Sequence, residues 1–189
     1  MNWLAHLYLS EPSPEFRIGN LLPDLAPVSV LVDLPVAFQR GMECHRKIDA
    51  FTDSHPLVRQ SIRRIHPPYR RFGGILVDIF YDHFLARHWD SLHSQPLPVF
   101  TTEFYDSVEN YRHIIPSLPY SRFEQMKADN WLNSYGDLPG ISTALQRVAL
   151  RFKRPVPIGD GAAILEEHYD AFHSDFTGFF PALRSHVMT

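Results

Sequence analysis

A chain of 189 residues with 14 Phe, 8 Tyr and a net charge of −3 is long and apolar enough to bury a real core, so disorder is not expected. A single cysteine, Cys44, excludes an internal disulfide framework and any multi-cysteine zinc site, which suits a reducing cytoplasm. The acidic balance argues against general nucleic-acid affinity, no run approaches the ~18 apolar residues of a membrane span, and the opening MNWLAHLYLS lacks the basic start of a signal peptide.

Asn2 is placed to cap a first short helix that carries Trp3, Leu4, His6 and Leu7. Ser13 and Pro14 open a second segment, EFRIGNLL, and Pro23 biases Leu22 out of helical geometry, so Asp24 is expected at a helix end or break. Asp33 and Pro35 repeat the start signal for a helix running to about residue 51. Its stripe of Phe38, Met42, His45 and Asp49 faces inward, while Arg40, Glu43, Arg46 and Lys47 fall elsewhere. Pro56 begins a short helix over 57–65 with Arg59, Arg63 and Arg64 outward.

The stretch FGGILVDIFYDHFLARHW, residues 72–89, is apolar nearly all round and predicts a helix buried in the centre of the molecule. It nevertheless carries Asp78, Asp82 and His83, and the two carboxylates lie one above the other at i and i+4. SLHSQPLPVF should be a loop leaving the core. Thr101 or Thr102 caps a helix through Tyr111, and Ser121 with Glu124 has capping-box spacing for one that includes Trp131 and stops near Gly136. Residues 141–152 form a further helix, 153–157 are extended, and a last helix from 161 to about 186 should be kinked or interrupted at Pro181. No period-2 run is long enough for a strand. The expected class is all-α, roughly eight helices in a single domain over residues 1–189.

Two i, i+4 pairs, His45 with Asp49 and Asp78 with Asp82, thus point into a greasy interior from separate helices. A buried carboxylate costs several kcal/mol unless a positive group meets it, and a shared cation answers that need for the whole set. Asp53, His55, Asp24 and His6 are possible additions, and eleven histidines hint weakly at metal or proton chemistry. Any one of these residues has a plain structural alternative: Asp53 as a cap, His55 at the surface, one central aspartate paired with a buried arginine. A basic stretch at Arg59, Arg63, Arg64, Arg70 and Arg71, and another at Arg147, Arg151, Lys153 and Arg154, read equally as solvated faces or as surfaces that steer an acidic partner. Trp131, Tyr135, Tyr105 and Tyr111 line a groove or, more commonly for such a pattern, pack in the core.

The opening MNWLAHLYLS, Gly19-Asn20-Leu21-Leu22 followed by Asp24, HRKIDAFTDSHPLVRQS from His45 to Ser61, and FGGILVDIFYDHFLARHW carry a resemblance that continues to the aromatic last helix. The chain resembles the acyl carrier protein phosphodiesterases, a family similar to the HD-domain phosphohydrolases. That resemblance implies a helical, HD-like fold with a His/Asp metal site. It also implies hydrolysis of the phosphodiester joining 4′-phosphopantetheine to a serine of acyl carrier protein, an acidic partner, with Mn²⁺ or Mg²⁺. Two positions depart from the pattern: Leu25-Ala26-Pro27 stands where a basic residue and glycine are expected, and Val156 where an asparagine sits between two prolines. The HD dipeptide of the wider superfamily is absent, Asp82-His83 being its reverse.

On this reading His45, Asp49 and Asp82, with Asp24, hold one or two divalent ions that activate water. His83 or His6 protonates the departing serine oxygen, and Asp78 orients a ligand or a catalytic histidine. Asp53 and His55 are second-shell or capping residues, and Arg59, Arg63 and Arg64 steer the carrier protein. A phosphohydrolase acting on a small nucleotide-like substrate and a non-catalytic carrier-protein binder remain the alternatives. No nucleic acid or membrane partner is expected, and the oligomeric state stays open.

Overall fold

The computed structural model describes residues 1–188. Twelve α-helices and three 3-10 turns follow one another, with no strand among the described residues. They are α1 (Trp3–Tyr8), α2 (Pro14–Leu25), α3 (Val36–Ser54), α4 (Pro56–Arg64), α5 (Gly73–Arg87), α6 (Trp89–Leu92), α7 (Leu97–Glu109), α8 (Ser117–Ala128), α9 (Trp131–Ser134), α10 (Leu138–Ala149), α11 (Ala162–Glu167) and α12 (Tyr169–Met188). The all-α expectation holds. The count exceeds eight because two expected long helices are each divided and the expected loop after residue 89 holds the short α6.

Proline accounts for several shifted boundaries. α7 and α8 begin before the expected threonine and Ser121, each following an extended proline, Pro96 or Pro116. Pro98 and Pro119 lie in their first turns, where a missing N–H has no intrahelical partner to lose. α2 runs through Pro23 to Leu25, so Asp24 lies in its last turn, at the helix end rather than at a break. The expected last helix is interrupted at His168 instead of at Pro181, which stays inside α12. Pro181 and Thr177, four residues earlier, are both exposed, so the carbonyl left without its helical donor faces water.

α5 is the central helix, packed by α1, α4, α10 and α12. Leu76, Phe80, Tyr81, Phe84 and Leu85 are fully buried, each such side chain contributing about 1.5–3 kcal/mol of burial. α12 meets it with Phe172, Phe176 and Phe179; the Phe80 and Phe172 rings lie edge to face at 5.2 Å and Tyr81 and Phe176 at 5.5 Å. One buried acid on α12, Asp175, accepts hydrogen bonds from Ser61 Oγ (2.7 Å), Gln60 Nε2 (3.0 Å) and the Arg64 guanidinium. Arg64 is therefore a structural partner of α12.

α2 and α3 lie close together because each places a glycine against the other's backbone. A methyl group on Gly19 would sit 2.2 Å from the Phe38 carbonyl oxygen, and one on Gly41 2.2 Å from that of Phe16. This contact matters because α2 and α3 bring Asn20, Asp24, His45 and Asp49 to one place.

Gly41→Ala is expected to lower stability by about 1–3 kcal/mol or more, since backbone cannot move aside as a side chain would. Gly74→Ala, where nothing lies within 4 Å of the added carbon, should be neutral or stabilising by up to about 1 kcal/mol. Urea unfolding of both variants checks the pair, and equal effects would contradict this account of the packing.

Candidate active site

The site is built around α1, which has only six residues and whose own N-cap residue, Asn2, makes no capping hydrogen bond. Asn2 instead donates to Tyr135 Oη at 2.7 Å. Asp82 caps α1 from outside: Leu4 N–H donates to Oδ2 at 2.7 Å and Ala5 N–H to Oδ1 at 3.1 Å. A carboxylate on the second and third amides of a helix satisfies two orphan donors and faces the positive end of its dipole. Asp82 is fully buried. Burial pushes its carboxyl up to about 8, against the pull of the two amides and the Met1 amine.

Held in this way, α1 points His6 at α2 and α3. His6 Nδ1 lies 3.0 Å from Asn20 Oδ1, while Asn20 Nδ2 donates to the His6 carbonyl and to Ser10 Oγ, both at 2.9 Å. Those two donations assign the amide orientation, so Asn20 Oδ1 accepts and His6 Nδ1 carries the proton. The main-chain carbonyl of the same Asn20 takes His45 Nδ1–H at 2.7 Å. One residue thus orients both histidines, whose rings stack 4.2 Å apart at 16°.

Both Nε2 atoms then face oxygen. His6 Nε2 lies 3.3 Å from Asp49 Oδ1 and 3.2 Å from the Met1 carbonyl. His45 Nε2 lies 3.0 Å from Asp49 Oδ2 and 3.8 Å from Asp24 Oδ1. Lone pairs on both sides are tolerable only with a proton on each nitrogen or a shared cation between them, and two parallel imidazolium rings would repel. Donor atoms of His6, His45 and Asp49 lie within 4.8 Å of one another. Two imidazoles oriented from behind and a carboxylate are a donor set that fits a divalent transition metal.

Positive charge is already drawn to these acids. The Met1 α-amine sits 3.1 Å from Asp78 Oδ1 and 3.5 Å from Asp49 Oδ1, and although burial lowers its pKa, Asp78 and Asp49 raise it to about 10. Burial opposes ionisation of Asp49, but the hydrogen bonds from His45 and His6 overcome it and hold that carboxyl far below its usual range. Burial likewise works against a charged His45; its hydrogen bond to Asp49, with Asp24 close by, nevertheless raises the imidazole. At Asp78 burial wins over the amine and the carboxyl is raised.

A cavity of about 350 Å³ opens beside the cluster, lined by Asp24, Asp49 and Asp78 together with apolar residues that include Ile75, Val148 and Phe152. Trp3 and Trp131 stack at 5.4 Å in its wall, with Arg151 over Trp3 and Arg147 over Trp131. Trp3 Nε1–H donates to Asp24 Oδ2 at 3.0 Å, which aims the other oxygen at His45.

Of the residues singled out from the sequence, the structure brings together His6, Asp24, His45, Asp49 and Asp78. It does not bring Asp82 or His83 to the cavity. Both Asp82 oxygens serve α1, so the central helix offers Asp78 in the place expected for Asp82. His83, at the neighbouring position, points away: Nδ1 meets the Tyr135 carbonyl at 2.8 Å and Nε2 the Tyr169 hydroxyl at 3.0 Å. Asp53 is exposed in the last turn of α3, and its carbonyl, not its carboxylate, takes Arg59 Nε at 3.1 Å. His55 is the N-cap of α4, with Nδ1 accepting from Leu57 N–H at 3.3 Å. Arg59, Arg63 and Arg64 do not line the cavity; the cationic residues there are Arg147 and Arg151. Trp131 and Tyr135 line it as well, while Tyr105 belongs to the core, its hydroxyl accepting from Leu132 N–H at 3.1 Å. Sequence reasoning passed over Asn20, although a polar residue between Ile18 and Leu21 on an apolar face was a usable signal.

The family model described as acyl carrier protein phosphodiesterase matches residues 1–183. Among curated relatives, acyl carrier protein phosphodiesterase of Yersinia pestis is 33% identical over 190 residues, covering 97% of this chain and 95% of its own. Those of an Enterobacter species and of Escherichia coli are each 34% identical over 188 residues, with 97% and 95% covered. No solved structure matches the chain.

His83 generates a pH prediction. Burial lowers its pKa from 6.5, so below that value the unfolded chain binds a proton the folded one resists. This contribution to stability is present above about pH 6.5 and is lost as pH falls through the folded value. Urea midpoints from about pH 7 to about pH 5 should fall more steeply for the wild type than for His83→Gln; parallel profiles would count against the assignment.

Proposed function

Since the chain belongs to the acyl carrier protein phosphodiesterase family, we propose that it hydrolyses the diester joining 4′-phosphopantetheine to a serine of acyl carrier protein, at the cluster of His6, His45, Asp49, Asp24 and Asp78. The observation that carries this reading is the convergence of two imidazole Nε2 atoms on carboxylate oxygens while Asn20 holds both Nδ1 positions. His6, His45 and Asp49, with Asp24 behind them, would hold Mn²⁺, or less favourably Mg²⁺, since two of the donors are nitrogen. Such a cation supplies polarisation of a phosphoryl oxygen and a water of lowered pKa. A helical fold that turns paired His and Asp inward is also what an HD-like hydrolase requires.

The chain's own groups do the rest. Asn20 fixes the direction of both imidazole lone pairs, so the donors need not reorganise. Arg147 and Arg151 bring positive charge to the cavity, which favours entry of the anionic diester. Water adds to phosphorus, the bond from phosphorus to the serine oxygen breaks, and that oxygen takes up a proton. Asp78, on the cavity wall with a carboxyl raised by burial, is the side chain placed to give it. This replaces the roles first expected for His6, whose Nε2 belongs to the donor set, and for His83, which faces Tyr169. The apolar lining residues Ile75, Val148 and Phe152 would receive the pantetheine arm.

His45→Ala should abolish bound Mn²⁺, read by elemental analysis after dialysis, and lower turnover of the holo-carrier protein on the order of 100-fold or more, with circular dichroism unchanged. Undiminished turnover would overturn the assignment. Asn20→Ala keeps the main-chain carbonyl for His45 and removes the acceptor of His6 Nδ1, together with the donations to the His6 carbonyl and Ser10 Oγ. Its Mn²⁺ affinity should fall about 10–100-fold, and unchanged affinity would show that Asn20 positions nothing.

A further inference from the structure

Next to the cavity, and sharing Asp24, Trp131, Arg147 and Arg151 with it, lies an open groove of about 800 Å³. Its walls are the C-terminal end of α2 with residues 25–27, one face of α8, and the last turn of α10. Two leucines on those walls are unusually exposed, Leu118 at 45% and Leu150 at 86%. An arginine stands near each in sequence, Arg122 on α8 and Arg151 beyond α10, and Arg147 and Arg151 line groove and cavity alike.

The charges are lopsided. Arg147 has a partial counter-charge in Asp129 at 3.5 Å. Arg151 rests on Trp3, and burial together with the nearby charge of Arg122 lowers its pKa, so these two guanidiniums repel across the groove. Among the described residues Asp24 is the single acid in the groove wall, and it already serves the histidine cluster. Exposed leucines flanked by like positive charges are poorly solvated alone and well matched by a surface with acidic groups around an apolar centre.

We infer that this groove is where the acidic carrier protein docks, through Leu118, Arg122 and Leu150, so that its modified serine is set at the shared wall near Asp24 and the arm enters the cavity. The inference rests on the reaction proposed above and adds the surface that selects a protein substrate. It also moves docking away from α4, where Arg64 is tied to Asp175. Leu25, Ala26 and Pro27 form part of this wall.

The test uses Arg122→Glu, Leu150→Glu and, as a control on α4, the double variant Arg59→Glu with Arg63→Glu. Steady-state kinetics are measured with the holo-carrier protein and with a serine tripeptide bearing phosphopantetheine, and carrier binding is followed by titration calorimetry. Either groove variant should raise KM for the carrier protein about tenfold or more, with kcat and tripeptide turnover unchanged and a weaker dependence on salt. The α4 variant should behave as wild type. Unchanged KM in both groove variants, or a rise confined to the α4 variant, would overturn the docking site. Groove-dependent binding by a wild-type enzyme that cleaves neither substrate would uphold the site and sink the reaction instead, whereas absence of carrier binding overturns the site.

Discussion

Asp82 capping α1 is the contact on which the functional architecture turns. A helix of six residues cannot sustain itself, because nucleation is costly and its first amides have no partners. The central helix supplies both missing acceptors through one buried carboxylate, and α1 is thereby pinned across α2 and α5. Everything else α1 carries then has a fixed address: the Met1 amine beside Asp78, Trp3 on Asp24, and His6 on Asn20. The cap lies outside the cluster of histidines and carboxylates, yet it decides where three of the groups at that cluster stand.

Asn20 plays the corresponding part on α2. Its side chain serves one imidazole and its main chain the other, so the relative orientation of His6 and His45 is set within a single residue. The close approach of α2 and α3, allowed by Gly19 and Gly41, is what brings the second imidazole within reach. Backbone proximity, amide orientation and imidazole tautomer form one chain of cause, ending in two lone pairs aimed at Asp49. The cost of gathering carboxylates in an apolar interior is offset by local positive charge, from the α-amine to the imidazoles themselves.

Much of this was legible in the residues. An apolar helix interrupted by Asp78 and Asp82, and a second inward stripe ending in His45 and Asp49, announced a polar site inside an all-α core. His6 and Asp24 were visible as additions. Periodicity, however, shows only that a residue faces inward, and Asp78 and Asp82 share one helical face while meeting different neighbours. The same limit applies to the basic residues: Arg59, Arg63 and Arg64 form one evident cluster along the chain and Arg147 and Arg151 belong to a second, but that Arg122 joins the latter from α8 is decided by packing. The proline-bounded starts of α7 and α8 were missed because capping residues further on competed with them.

By itself the amino-acid order determined the helical class, the buried centre, the inward acids and imidazoles, and through its long motifs the family. Those are properties of spacing and side-chain type, which local geometry translates directly. Only the tertiary structure decided that Asp82 holds a helix while Asp78 faces the cavity, that His83 turns to Tyr169, and that one asparagine orients two histidines. Each of these depends on which oxygen meets which donor across segments as much as 86 residues apart, and hydrogen-bond partnership over such separations is settled by packing, not by period.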